Sequence, residues 1–295
     1  MNTDTSNTDL DTFTALRPRL YAIAYRMLGT RADSEDILQD AWLRFQRSDH
    51  AALKSAEAWL VTIVTRLAID RLRAAKTERE KYVGWWLPEP LVEKEEHTPE
   101  AAAELASELS IALMWVLERL APEERAAFLL RRVFEHDYAE IAALLGKNEA
   151  SCRQMVHRAS QRVQQEQPRF AVSKEEHRRL LANFMQAARG GERETMQALL
   201  ADDVMLVSDG GGKVPSFPII LRGMDRIAKL YAHATKKFND QLSYRMATIN
   251  GEPGLLRYID GQLESAQAFV TDGTRITAIY IVRNPDKLAE IPPLQ

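Results

Sequence analysis

The stretch EIAALLGKNEASCRQMVHRASQR, Glu140 to Arg162, sets the frame for the rest of the chain. Ile141, Leu144 and Leu145 give a short apolar helix face, and Gly146, Lys147 and Asn148 supply a turn. Asn148 then suits the N-cap of a second helix, because its side-chain oxygen can accept from the first unpaired amides. This is a helix-turn-helix pattern. On the second helix Cys152, Val156, Ala159 and Val163 recur at helical spacing and face the first. The opposite side carries Arg153, Gln154, His157, Arg158, Gln161 and Arg162, side chains that suit a helix in the major groove, where Arg bonds guanine and Gln bonds adenine through paired contacts. A solvated helical hairpin would show the same face, so the surrounding chain has to discriminate.

At 295 residues with 45% hydrophobic content the chain is long enough for two or three domains with buried cores. A net charge of −3 is unusual for a protein that holds duplex DNA by itself, since phosphate neutralisation supplies most non-specific affinity. A DNA-binding role therefore implies a partner. The one cysteine, Cys152, is placed on the inward face of its helix, which leaves no disulfide framework or thiolate cluster. Neither a cofactor nor a metal is expected. The N-terminus MNTDTSNTDLDTF is polar and acidic, without the basic start and apolar core of a leader, and no later run approaches membrane-spanning length. The expectation is a cytoplasmic protein with no membrane contact.

Taken in order, Leu16, Leu20, Ile23, Ala24, Met27 and Leu28 form one helical stripe ended by Gly29. A second helix opens at Asp33 or Ser34 and runs through Ile37, Leu38, Ala41, Trp42 and Phe45, with Glu35, Asp36, Gln39 and Asp40 on its other face. Residues 47–58 read as a loop. Trp59 then opens a third helix with Leu60, Ile63, Val64, Leu67 and Ile69 as its apolar side. Its end gathers Arg66, Arg71, Arg73, Lys76 and Arg79, a charge that complements the helix dipole and equally fits a phosphate-tracking surface.

Between Thr77 and Thr98 proline, glycine and acids break the helix and mark a linker. Tyr82, Val83, Trp85, Trp86 and Leu87 are nevertheless too apolar for a free tether and should dock on something. Helices resume at Pro99 with Leu105, Leu109, Leu113, Leu117 and Leu120, followed by LAPEERAAFLLRRVF with Pro122 in a first helical turn. From about Arg169 the character changes. Two amphipathic helices break at Gly190 and Gly191, and strand-like runs follow at 204–207, 218–221, 242–249, 254–259, 267–270 and 276–282. Turns such as Asn250-Gly251 and Asp272-Gly273 separate them in hairpin fashion, which argues for a separate α+β domain with an antiparallel sheet.

With these pieces placed, the first 165 or so residues resemble an extracytoplasmic-function sigma factor of bacterial RNA polymerase. DSEDILQDAWLRF resembles the family's core-binding segment, AWLVTIVTRLAIDRLR its promoter-melting helix, and LAPEERAAFLLRRVFEHDYAEIAALLGKNEASCRQMVHRA its minus-35 reader. WLPEP (Trp86, Leu87, Pro88, Glu89, Pro90), DGGGK (Asp209, Gly210, Gly211, Gly212, Lys213) and NPDKL (Asn284, Pro285, Asp286, Lys287, Leu288) resemble marks of the SigJ-like subgroup, which carries a SnoaL-like C-terminal domain.

The resemblance implies a multidomain chain. Two all-α domains, a region 2 helical bundle over 1–80 and a region 4 helix-turn-helix over 100–168, flank a linker at 81–99. An α+β SnoaL-like (NTF2-like) cone domain follows over 169–295. It implies as partners the RNA polymerase core, through its β-prime clamp helices and β flap, and promoter DNA, double-stranded at minus-35 and single-stranded at minus-10. Glu35, Asp36, Gln39 and Asp40 would face the clamp helices. Lys54, Ser55, Trp59, Thr62, Arg66, Arg71 and Arg73 would receive the minus-10 strand, since melted DNA needs a surface for extruded bases and a cationic groove for the backbone. Arg153, Gln154, His157, Arg158, Gln161 and Arg162 would read minus-35. Arg66 stands where many members have Asn, and Met155 where a basic residue is common, so base preferences are not carried over from the family.

SnoaL-like domains have an apolar cavity that leaves room for a small-molecule ligand, and their relatives include isomerases and cyclases. The alternative reading is therefore an enzyme of the SnoaL or ketosteroid-isomerase type fused to a DNA-binding module. Its candidates are Asp209, His233, Asp260 and Asp272, and the sequence ties no two of them together. DGGGK is not a nucleotide loop, because Val207 and Val214 occupy positions that a P-loop gives to Gly and to Ser or Thr. A turn with positive φ, or close approach of another backbone, explains its glycines. The expectation is a non-enzymatic sigma factor regulated in cis, with the three subgroup motifs as the regulatory contacts.

Overall fold

The computed structural model describes residues 3–49, 53, 55–92, 110–166 and 172–291, with backbone only for 3–8. The chain divides into two compact units. One holds residues 3–80 and 116–166, the other 81–92, 110–115 and 172–291. The expected helical turns at Leu105 and Leu109 lie outside the described residues.

In the first unit α1 (Thr3–Leu28), α2 (Arg31–Gln46) and α3 (Ala56–Glu80) pack as a bundle. Gly29 ends α1 with φ 74°, which glycine adopts without a Cβ penalty. Helix α2 begins ahead of the expected Asp33 or Ser34, because Thr30 takes the N-cap position and its hydroxyl donates to Asp33 at 2.7 Å. Helix α3 likewise starts at Ala56, inside the expected loop, with the Ser55 hydroxyl accepting from the Ala58 amide at 3.2 Å. Its buried stripe is Leu60, Val61, Val64, Thr65, Ala68, Ile69 and Leu72. Ile63 and Leu67, expected in the core, are only half-buried, since the bundle meets α3 on the side nearer Val61 and Thr65.

Region 4 supplies α4 (Ile111–Leu117), α5 (Pro122–Arg132), α6 (Tyr138–Leu145) and α7 (Glu149–Glu166). An Asp137–Glu140 capping box starts α6, and Gly146 at φ 63° ends it. Asn148 caps α7 by accepting from the Ser151 amide at 2.8 Å. Cys152, Val156, Ala159 and Val163 are buried as expected, joined by Met155 at 7% exposure.

The second unit is an α+β domain. Helices α8 (Lys174–Gly190), α9 (Arg193–Leu199) and α10 (Met224–Phe238) pack on a six-stranded sheet of order β2-β1-β6-β5-β4-β3. The strands are β1 (Leu200–Asp209), β2 (Leu221–Arg222), β3 (Leu242–Ile249), β4 (Glu252–Ile259), β5 (Gln262–Thr271) and β6 (Ile276–Val282). A short α11 (Pro285–Leu288) follows.

Three expectations are corrected. Of 218–221 only Leu221 is strand, in a segment interrupted by Pro218. Helix α10 was not foreseen, although Ile227, Ala228 and Tyr231 form its buried stripe. The sheet is mixed, because β1 runs parallel to β6. Strands β3 to β6 form a meander that returns to β1 from the far edge, and its even number of reversals brings β6 back in the direction of β1. Between helices and sheet the interior is filled by Phe184, Tyr231 and Phe269, whose rings meet edge to face around Phe184 at 5.0 and 5.6 Å. Phe184→Ala is expected to destabilise this domain by about 3–5 kcal/mol through the cavity it leaves, read as a lowered midpoint in denaturant unfolding of the full chain.

Candidate functional site

On α2, Glu35, Asp36, Gln39 and Asp40 are all exposed. Asp36, Asp40 and Leu43 follow one another along the helix, and Leu43 keeps 41% of its surface exposed, so this acidic face ends in an apolar side chain that sequence reasoning did not single out. Glu35 pairs with Arg17 at 2.5 Å, an exposed pair of small worth.

On α3, helical geometry puts Trp59, Thr62, Arg66 and Arg73 within about 60° of one another, with Arg71 about 140° away from Arg66. Arg71 is instead held against α2 by Asp33 at 2.8 Å, with Glu78 at 3.2 Å, and the Asp33 hydrogen bond raises its pKa. The structure thus separates Arg71 from the stripe it was grouped with. Trp59 is half-buried with its ring 5.8 Å from that of Phe45. The Ser55 hydroxyl serves the N-terminus of α3, and Lys54 lies outside the described residues. Arg66 donates to the Leu144 carbonyl at 3.1 Å, and Arg73 meets Glu123 at 2.6 Å and Asp70 at 3.0 Å.

On α7, Arg153, Gln154, His157, Arg158, Gln161 and Arg162 all reach solvent. Arg153 pairs with Glu149 and lies over the Tyr138 ring. Arg158 pairs with Glu124 at 2.8 Å, and Arg162 donates to the Arg119 carbonyl at 2.9 Å. Met155 departs from the family pattern because its side chain joins the core. Burial also raises the pKa of the Cys152 thiol, which is packed away as a small apolar group.

In the second unit WLPEP, DGGGK and NPDKL converge on Asp209, whose side chain is fully buried. Its carboxylate accepts from the Tyr82 hydroxyl at 2.6 Å, the Leu87 amide at 2.9 Å, the Gly211 amide at 3.0 Å and Lys287 Nζ at 2.8 Å. Its carbonyl accepts from the amides of Arg283 and Asn284. Lys287 also donates to the Leu87 carbonyl at 2.5 Å and sits over the rings of Trp86 and Tyr82 at 4.2 and 4.9 Å. Burial, and then the charge of Asp209, push the Tyr82 phenol far above its usual range, which keeps it protonated as a donor. The Asn284 amide donates to the Tyr82 oxygen at 2.9 Å, and Lys213 reaches Asp286 at 2.5 Å.

The glycines permit this closeness. At Gly211, φ 60°, a Cβ would lie 2.4 Å from Asn284 Nδ2, and at Gly212, φ 71°, it would lie 3.0 Å from Val83. Leu87, Pro88 and Pro90 are buried, Glu89 is half-buried, and Trp85 reaches Tyr280 of the sheet through Trp115. Of the apolar linker residues only Val83 stays exposed, at 66%. Downstream, Leu91 exchanges hydrogen bonds with Asn250, a residue read from sequence only as a turn former. Tyr82 was foreseen as docking but not as a ligand of Asp209.

The enzyme candidates do not meet. Asp209 is consumed by the clamp, His233 and Asp260 are exposed, and Asp272 caps its own turn through the amides of Thr274 and Arg275. The carboxylate that does enter the interior is Glu264, at a bulge in β5 between Arg257 and Arg283. Burial works against its charge, but Arg257 and Arg283 hold it below the usual carboxylate range, so it is a fixed ion and not a base poised near neutrality.

Lys287→Met is expected to cost about 3 kcal/mol or more, because it strips the Asp209 carboxylate of its only cationic partner among the described residues. Limited proteolysis would then show new cleavage between Lys81 and Trp86 in the variant and protection in the parent.

Residues 12–78 match the family model for Sigma-70 region 2, and residues 110–163 that for Sigma-70, region 4. The chain is 36% identical over 296 residues to the ECF RNA polymerase sigma factor SigJ of Mycobacterium tuberculosis, covering 96% of this chain and 94% of the relative. It is 26% identical over 282 residues to a probable ECF RNA polymerase sigma factor, SigI, of the same species, covering 93% and 92%. The crystal structure of the M. tuberculosis SigJ protein superposes with a TM-score of 0.79 at 35% identity, over 95% of this chain and 98% of that one. The helical regions, the α+β C-terminal domain and these likenesses together make this chain an extracytoplasmic-function sigma factor, a non-enzymatic transcription initiation factor of the SigJ-like group with a SnoaL-like C-terminal domain.

Proposed function

We propose that this sigma factor works through three surfaces and one internal restraint. Glu35, Asp36, Gln39 and Asp40, extended by Leu43, meet the β-prime clamp helices of core polymerase, while region 4 meets the β flap. Trp59, Thr62, Arg66 and Arg73 receive the unpaired minus-10 strand, Trp59 as a stacking surface and the arginines as the cationic track. Lys54 and Ser55 border that site, whereas Arg71 supports it by bracing α3 on α2. Arg153, Gln154, His157, Arg158, Gln161 and Arg162 face the minus-35 duplex. The mildly acidic chain needs little intrinsic DNA affinity, because the polymerase presents both modules to the promoter at once. It acts in the cytoplasm, where that polymerase is.

The restraint is the clamp on the linker. The observation that carries this reading is the buried Asp209–Lys287 pair gripping Tyr82 and Leu87. Residues 81–92 lie between regions 2 and 4 in the chain, so fixing them shortens the reach with which region 4 can follow region 2 along DNA. The C-terminal domain thereby regulates promoter spacing in cis, and a small molecule acting on that domain would act through the clamp.

Promoter-directed transcription with bacterial core polymerase tests this. Full-length protein is expected to give core-dependent transcripts with a narrow preference for the spacing between minus-35 and minus-10. Asp209→Asn, Lys287→Met and a chain ending near residue 170 are expected to initiate over a wider range of spacings. Identical spacing profiles for all four proteins would rule out the restraint while leaving the sigma activity intact.

A further inference from the structure

The stripe of α3 assigned above to the minus-10 strand is covered, within the first unit, by the helix-turn-helix itself. Thr62 lines a cavity of about 270 Å³ whose opposite wall is His136, Glu140, Ile141, Ala143 and Leu144. One turn further along, Arg66 is engaged by the Leu144 carbonyl at the end of α6. Two turns beyond that, Arg73 is engaged by Glu123 in the first turn of α5, and the same carboxylate holds Lys147 of the helix-turn-helix turn at 2.9 Å.

These partners occupy the chemistry that a nucleic acid would offer, a carbonyl and a carboxylate standing where phosphate or base oxygens would bind. The arrangement is pinned by Arg125 of α5. Its buried guanidinium donates to the Arg26 carbonyl at 3.1 and 2.9 Å, in the last turn of α1, and to Glu118 at 2.8 Å. Glu118 also pairs with Arg79 at the end of α3.

We propose that in the free chain region 4 is a lid on the strand-capturing stripe of α3, latched by Arg66 to Leu144 and by Arg73 to Glu123, and that core polymerase opens it by drawing regions 2 and 4 apart. Thr62, Arg66 and Arg73 share one side of α3, so one rigid displacement of α5 and α6 exposes all of them together. The latch contacts at Arg73 and Glu123 are partly exposed, 55% and 33% for the side chains, so they are weak enough to yield to polymerase binding. Lys147 remains paired with Glu123 on opening, since both belong to region 4, and only the bond to Arg73 is broken. The lid rests on the minus-10 assignment of α3, so its test reads lid movement separately from promoter melting.

The full-length protein is compared with Glu123→Lys, which sets a like charge against Arg73 and Lys147, and with Glu149→Lys, which makes the same change of net charge on α7 away from α3. Glu123→Lys is expected to bind a labelled minus-10 single strand in the absence of polymerase about fivefold more tightly than the parent, beyond any gain in Glu149→Lys. Hydrogen exchange at residues 62–73 and 144–147 is expected to speed up in Glu123→Lys, and in the parent on adding core polymerase. Equal gains in the two variants with unchanged exchange in these segments would overturn the lid. Should Glu123→Lys lower the stability of the whole chain, the polymerase-induced exchange in the parent decides alone, and its absence overturns the proposal. If the exchange changes appear but Arg66→Ala and Arg73→Ala open promoters normally in the polymerase-bound state, the minus-10 assignment fails and the lid stands.

Discussion

A carboxylate with no access to water must be surrounded by donors or it will not stay buried. Asp209 meets that requirement with a lysine, a phenol and two backbone amides, and it draws them from segments far apart in the chain. Tyr82 and Leu87 come from more than a hundred residues upstream, and Lys287 from beyond the last strand. The end of β1, the linker and the C-terminal turn are thus tied at one point, and the tryptophans, with an aromatic ring and a cation to pack against, follow. This is why residues 81–92 belong to the same compact unit as the C-terminal domain.

The first unit shows the same logic with the sign reversed. Arg125 is a buried cation whose pKa burial lowers to about 9, so at neutral pH it still carries its charge and requires its acceptors. It finds them in a helix C-terminal carbonyl and in Glu118, which suits the negative end of the α1 dipole. Neighbouring Arg79, also lowered by burial to about 9, shares Glu118. The packing of region 4 on region 2 is therefore held by charges that have no better place to go, while the residues proposed to touch DNA sit at its rim in weaker, solvent-exposed pairs.

The C-terminal domain illustrates how a fold that serves enzymes elsewhere can serve another purpose. Its interior is filled by Phe184, Tyr231 and Phe269, with Tyr231 bonded to Gln267 and Gln267 to Ser265. Its inward carboxylate, Glu264, is neutralised from both sides by Arg257 and Arg283. The acid with the richest set of donors, Asp209, is spent on holding the linker.

Local pattern determined a good deal of this protein. Gly146 and Asn148 could only end one helix and cap the next, and the spacing of Cys152, Val156, Ala159 and Val163 fixed which side of α7 faces inward, so the solvent-facing set from Arg153 to Arg162 was legible in advance. The glycines of DGGGK announced positive φ and close approach, and the apolar linker announced a docking surface, because both are properties of short segments. What tertiary structure alone decided is where long-range partners meet. Periodicity placed Arg71 with Arg66 and Arg73 by sequence proximity, but Asp33 of another helix turned it away. Nothing local could show that Tyr82 would donate to Asp209, that Leu144 and Glu123 would occupy Arg66 and Arg73, or that β1 would lie parallel to β6. Helical and strand periods report the neighbours of a residue along its own element, whereas a buried charge or a strand partner is settled only when distant segments compete for the same donors.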